Sequence, residues 1–263
     1  MNNNMISNYS SSSTCNQSLS KQLSASPKGI IFDMDGTLIQ LNVFKELIQR
    51  IYQVAENDPI GKDLERDDLE VMISKLSPQG KIQAKRAIDE ILQRHVDNMT
   101  IQEGGPELVA FLARNGVKRA VLTRNYEANA FYMSHNYQRE MNDATFDLII
   151  GKDSYFDGSY QPVQEIPKAQ RIHQICTIWG CHPSEVIMVG DSITDDIVEG
   201  NRAGCGGTVL LQPKGYELNN FYGTTIGNSL ERKPTLCVES LTDLMQYLEA
   251  QLNYSVFYDY YGK

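Results

Sequence analysis

The 263-residue sequence predicts an α/β protein, a doubly wound parallel sheet with a helical segment inserted after its first strand. Three observations predict it. Short apolar runs alternate with amphipathic stretches, acids or other polar residues stand directly after those runs, and residues 41–100 carry helical periodicity throughout. Ligands of such sheets bind in the crevice beyond the carboxyl ends of the strands, so polar residues after apolar runs also mark a candidate site.

Residues 1–27 hold nine Ser and five Asn, no acid and one Lys, too little apolar surface to offset the entropy of ordering. They predict a disordered tail; a transit peptide also lacks acids, but this stretch has no Arg and little amphipathic pattern. Gly29 to Phe32 reads as the first strand, ending at Asp33-Met34-Asp35-Gly36-Thr37. Val43, Phe44, Leu47, Ile48 and Ile51 then share one helical face. Helix is expected to continue from Leu64 to Leu76 and to break at Ser77-Pro78, where Ser caps the next helix and Pro occupies its first turn. That next helix carries Ile82, Ala87, Ile88, Ile91 and Leu92. Residues 41–100 thus form a helical cap over a core made of 28–40 and 101–252.

A helix from Glu107 to Arg114 leads through Asn115-Gly116 into a strand from Val117 to Leu122, which ends at Thr123-Arg124-Asn125. After another helix comes a strand from Phe146 to Ile150, then a Gly- and Tyr-rich stretch, Tyr155 to Gln164, that suits a small hairpin. Lys168 to Trp179 reads as helix, and Glu185 to Val189 as a strand ending at Gly190-Asp191-Ser192. Residues 197–204 form a helix closed by Gly204, Thr208 to Leu211 a strand, and Leu241 to Leu252 the final helix, before an aromatic tail over 253–263.

The formal charge of -9, with no run of Lys or Arg, argues against nucleic acid as a partner. No stretch approaches the roughly 18 apolar residues of a membrane span. Five scattered cysteines suit a reducing compartment, which favours the cytoplasm unless the N-terminal tail is a targeting segment. His173, Cys176, Cys181 and His182 match no paired zinc-ligand spacing and read instead as helix and following loop.

Asp-x-Asp-Gly alone also suits a surface turn, because Asp and Gly are turn residues. Two carboxylates two residues apart repel at neutral pH, where an ordinary Asp with a pKa of about 3.9 is ionised, unless a cation or a shared proton relieves them. Asp33-x-Asp35-Gly-Thr37, Thr123, Lys168 and Gly190-Asp191-Ser-x-x-Asp195-Asp196, in that order, resemble the haloacid dehalogenase (HAD) superfamily, in its phosphatase branch with a small helical cap. The resemblance covers residues 29 to 211 and implies a Rossmann-like core.

What the resemblance implies agrees with the chemistry of the residues. Asp33 is the nucleophile that forms an aspartyl-phosphate, and Asp35 the general acid and then base. Members that cleave carbon-halogen bonds lack this second Asp, so its presence points to phosphoryl transfer. Mg2+, which prefers oxygen ligands, would be held by Asp33, the backbone carbonyl of Asp35, Asp191 and either Asp195 or Asp196. Spacing from Asp191 favours Asp195, whereas spacing to Gly204 favours Asp196. Thr123 is placed to bind a phosphate oxygen; Arg124 and Asn125 are next in line to touch substrate, and Arg124 equally suits pairing with a cap acid.

The capped branch carries its lysine in a Lys-Pro-x-Pro run, and here Ile166-Pro167 stands at that place, with Lys168 displaced by two residues. The expected function is hydrolysis of a small phosphorylated metabolite. A phosphomutase, or a binding protein impaired by loss of the lysine, are the alternatives. Oligomeric state is not legible.

Overall fold

The computed structural model describes residues 23, 27–40, 44–61, 64, 69–96, 99–154, 166–213 and 230–261. Its elements in chain order are β1 (Gly29–Phe32), β2 (Ile39–Gln40), α1 (Phe44–Glu56), α2 (Leu69–Ser74), α3 (Pro78–Val96), β3 (Thr100–Ile101), α4 (Gly105–Arg114) and β4 (Lys118–Leu122). There follow α5 (Glu127–Glu140), β5 (Leu148–Ile150), α6 (Lys168–Trp179), β6 (Val186–Gly190), α7 (Val198–Ala203), β7 (Gly207–Leu211), β8 (Leu236–Val238) and α8 (Leu241–Tyr261).

All four residues of β1 are apolar or Gly and all are buried, the mark of a strand covered on both faces. It lies inside a six-stranded parallel sheet of order β5-β4-β1-β6-β7-β8, with Phe32 opposite Val121 on one side and Val189 on the other. Strand alternation divides its side chains between two cores. Ile30 and Phe32 pack with Leu108, Met133, Tyr137 and Leu244 of α4, α5 and α8, whereas Ile31 packs with Ile172, Ile175 and Ala203 of α6 and α7. Helices therefore cover both faces, as the doubly wound reading expects. Because the strands run in parallel, their carboxyl ends, and the polar residues after them, gather at one edge.

Between β1 and β4 the chain leaves and re-enters the core through a two-residue antiparallel ribbon, β2 with β3, which pairs Ile39 with Ile101 and Gln40 with Thr100. Helices α1, α2 and α3 lie between those two strands in sequence and share their own apolar cluster of Ile48, Ile51, Ala55, Met72, Leu76 and Ala84. Ser77 caps α3 by accepting the Gly80 N–H at 3.0 Å, and buried Asp58 accepts from both the N–H and the hydroxyl of Ser77. Lys152, after β5, reaches across to Asp89 of α3, Nζ to Oδ1 at 2.5 Å. Among the described residues no helix is long and apolar enough to cross a membrane.

Several expectations are corrected. The second helix of the insertion covers only Leu69–Ser74 rather than Leu64 to Leu76. The final helix does not stop at Leu252 but runs to Tyr261, through most of the stretch read as an aromatic tail. Strands β2, β3 and β8 escaped the sequence reading because each is two or three residues long, shorter than any hydrophobic period can reveal. Residues 155–164, read as a hairpin, lie outside the described residues, as does the predicted disordered tail apart from Leu23 and Pro27. Leu23 is not solvated: it is 4% exposed and belongs to the larger core. Its Cδ2 lies 2.2 Å from where a Cβ at Gly207 would stand, so a side chain at the first residue of β7 would displace the leucine tip.

Leu23→Ala should therefore lower the unfolding free energy by about 2 to 3 kcal/mol, the cost of a cavity in a packed core, in a chemical denaturation series. A change below about 0.5 kcal/mol, the usual size of a surface substitution, would show that Leu23 does not contribute to the core.

Candidate active site

The turn after β1 is what turns two acids into a site. Asp33 continues the ladder by donating its N–H to Val189 O at 2.9 Å, and the N–H groups of Leu38 and Ile39 both return to Met34 O, closing a tight loop. Gly36 adopts φ +85°, and a Cβ there would lie 2.2 Å from Asp191 Oδ2, so only Gly lets this loop approach the end of β6. At Gly190 a Cβ would lie 2.1 Å from Asp196 Oδ2. Gly36 thus makes room for a carboxylate of the opposite loop, and Gly190 for one of its own loop.

Lys168 opens α6 directly after Pro167, whose extended backbone stops the helix from starting earlier. Its side chain is 3% exposed, and Nζ lies 2.7 Å from Asp33 Oδ1, 2.7 Å from Asp196 Oδ1 and 2.8 Å from Asp195 Oδ2. The displaced lysine therefore reaches the nucleophile candidate from a helix start. Asp33, Asp191 and Asp196 each offer an oxygen, all within 4.8 Å of one another, and among the described residues they are the cluster suited to a metal ion.

Asp195 does not join that trio. It accepts from Arg124 Nε at 3.0 Å and Nη2 at 2.6 Å, so Arg124 pairs with a core acid. Both adjacent acids face inward because residues Ile193–Ile197 form a π-type turn, wider than an α-helix, ahead of α7. Sequence spacing assumes a regular helix and so could not separate their roles.

Asp35 stands on the other side of Asp33. Its carboxylate accepts from Asn125 Nδ2 at 3.2 and 3.3 Å, with Thr123 Oγ1 at 3.5 Å. The Asn125 amide is engaged with Asp35, the Tyr126 N–H and Asn129. Two residues missed in the sequence also adjoin the site. Asn129 is buried on α5, and Lys152 stacks its ammonium 3.7 Å from the centre of the Tyr126 ring. Neither carries a motif signal: Asn129 looks like an ordinary helical polar residue and Lys152 like a loop lysine.

Five carboxyls here face two cations, Lys168 and Arg124, and the imbalance shows in their protonation. Burial raises Asp33 to about 6 against the pull of Lys168, with Asp35 and Asp195 adding to the rise. Burial likewise raises Asp35 to about 6, opposed by the Asn125 amide and by Lys168. Asp196 rises to about 8, through burial and the charges of Asp33 and Asp195. For Asp195 burial is overcome by Lys168 and Arg124 together, which hold it below its ordinary value. Lys168, for which burial alone would favour the neutral amine, is held well above its ordinary value by Asp195, Asp196 and Asp33. The arrangement offers an oxygen nucleophile fixed by an ammonium, a second acid able to exchange a proton near neutrality, and hard oxygen donors for a divalent cation.

The sequence matches the model of haloacid dehalogenase-like hydrolases over residues 27–204, and a second, HAD-hydrolase-like model over 167–244. A haloacid dehalogenase-like hydrolase domain-containing protein of Arabidopsis thaliana is 27% identical over 233 residues, covering 86% of this chain and 85% of its own. Phosphoserine phosphatase of Archaeoglobus fulgidus is 25% identical over 67% of this chain and 51% of that enzyme. Among solved structures, a predicted phosphoglycolate phosphatase from Haemophilus somnus shares the fold with a TM-score of 0.54 at 19% identity, over 85% of this chain and 98% of that one. With the motifs assembled at the strand ends and the family match spanning most of the sheet, this chain belongs to the haloacid dehalogenase-like hydrolases.

Proposed function

We propose that the chain is a Mg2+-dependent phosphatase of a small phosphorylated metabolite, working through an aspartyl-phosphate on Asp33. The observation that carries this reading is Lys168 Nζ, 2.7 Å from Asp33 Oδ1, beside the carboxylate trio. Asp33 attacks phosphorus, forming one O–P bond as the ester O–P bond breaks, and Asp35 gives its proton to the departing oxygen. Asp35 then takes a proton from water as that water attacks phosphorus, releasing inorganic phosphate and free Asp33. Thr123, with its side chain near Asp35, is placed to hold a phosphate oxygen. Lys168 offsets charge on the phosphoryl group and keeps Asp33 aimed.

The donor set fits Mg2+: Asp33, Asp191 and Asp196 supply hard oxygens close together. These three, with the backbone carbonyl of Asp35, would hold the ion. When bound it supplies charge neutralisation between the anionic nucleophile and the anionic ester. Asp89 of α3 pairs with Lys152, whose charge also acts on Asp35, which supports a role for the inserted helices in selecting the substrate. Five cysteines scattered along the sequence support a reducing compartment such as the cytoplasm.

Hydrolysis of p-nitrophenyl phosphate with Mg2+ should be lost in Asp33→Asn and on adding chelator. Lys168→Met should lower kcat/KM by about 100- to 1,000-fold, the size typical of losing one electrostatic contact to the transition state. Ile166→Lys should leave turnover within about twofold, since the lysine position is already filled. A sharp rise in that variant, or full turnover by Asp33→Asn, would refute the assignment.

Asp33, Asp35 and Asp196 sit above the ordinary Asp value, so the folded metal-free protein binds protons that the unfolded chain releases. Their effect is a loss of stability as pH rises from about 4 to about 8. Lys168 contributes evenly below its ordinary value and loses that contribution only as pH rises above it, and the stability from Asp195 is lost only in acid below the ordinary Asp range. The melting temperature in chelator should accordingly fall between pH 5 and pH 8. Mg2+ should raise it more at pH 8, because cation and protons compete for the same oxygens. A melting temperature in chelator that climbs across this window would contradict the charge crowding described.

A further inference from the structure

Asn125 is 3% exposed and held at both ends of its side-chain amide. Oδ1 accepts from the Tyr126 backbone N–H and from Asn129 Nδ2, both at 2.8 Å. Nδ2 lies 3.3 Å from Asp35 Oδ1 and 3.2 Å from Oδ2. A backbone N–H can only donate, so Tyr126 decides which end of the amide is oxygen and leaves the NH2 end facing Asp35. The Asn125 N–H donates in turn to Thr123 Oγ1 at 3.0 Å, which locks the same loop to the end of β4.

Asp35 needs such a partner. It sits beyond the end of β1 on a loop, joined to Ile39 by an isolated bridge, and two rotatable bonds separate its carboxyl from the backbone. With an N–H against one side of the carboxyl, an acid proton on that side would meet another hydrogen. The proton therefore sits on a lone pair away from Asn125. We propose that Asn125 is a positioning residue that holds Asp35 in the orientation from which it protonates the leaving oxygen, with Asn129 holding Asn125 in turn. The proposal rests on the reading of Asp35 as general acid.

The test compares kcat/KM for two esters in Asn125→Asp, which keeps the shape and the oxygen facing Tyr126 but removes the donor, and in Asn125→Ala. p-Nitrophenolate leaves with little help, whereas the alkoxide of an alkyl phosphate such as glycerol phosphate must be protonated as it departs. A misplaced acid should cost about 100-fold on the alkyl ester, the usual penalty for a small loss of alignment, and less than about threefold on the aryl ester. With phenyl phosphate in an Asp35→Asn background, adding Asn125→Asp should change kcat/KM by less than about twofold, because the two residues act as one unit.

Equal losses on both esters, no loss on either, or a full additional loss in the Asp35→Asn background would overturn the proposal. Asn125→Asp carries the test alone if Asn125→Ala does not fold. Full turnover by Asp33→Asn would overturn the phosphatase reading together with this proposal, whereas an Asp33-dependent enzyme with an unchanged ester preference would overturn the proposal only.

Discussion

The buried ammonium of Lys168 is surrounded by Asp33, Asp195 and Asp196, and the end of the sheet is organised around that cluster. Charges removed from water are costly unless they are paired, and removing one member of such a group typically costs about 3 to 5 kcal/mol because its partners stay buried and unmatched. The group brings together residues 33, 168, 195 and 196, which lie on three separate βα connections. Electrostatics at the strand ends therefore help to fix how those connections sit on the sheet.

The pairing is incomplete by design of the sequence. Burial raises Asp33, Asp35 and Asp196 above the ordinary Asp value, and neighbouring carboxylates add to the rise at Asp33 and Asp196. Crowding of this kind weakens the fold but leaves a proton available at Asp35 and oxygens available to a cation, the requirements of stepwise phosphoryl transfer. Asp195 escapes because Lys168 and Arg124 together hold it as the anion.

The apolar sheet supplies the rigidity against which this charge is held. β1 is covered on both faces, and its two neighbours bring Thr123 and Asp191 to the same edge. Short-range devices then set the fine geometry: a left-handed Gly36, a π-type turn at Ile193–Ile197, and an asparagine amide with a defined orientation. The helices inserted between β2 and β3 have an apolar cluster of their own, and Asp89 of α3 pairs with Lys152 of the core.

The sequence by itself determined the parallel sheet and the helical insertion, and it marked the candidate residues at the strand ends. Buried parallel strands are continuous apolar runs, helices repeat every 3.6 residues, and Asp33, Asp35, Thr123, Lys168 and Asp191 all follow such runs or open a helix. What it could not determine depends on chain segments distant in sequence. Lys168 looked displaced because spacing along a chain says nothing of how far a long side chain reaches from a helix start. Asp195 and Asp196 looked equivalent because a π-type turn has no sequence period of its own. Asn129, Lys152 and Leu23 looked ordinary because burial and partners are properties of packing. Only the tertiary structure, which brings these residues within bonding distance, decided them.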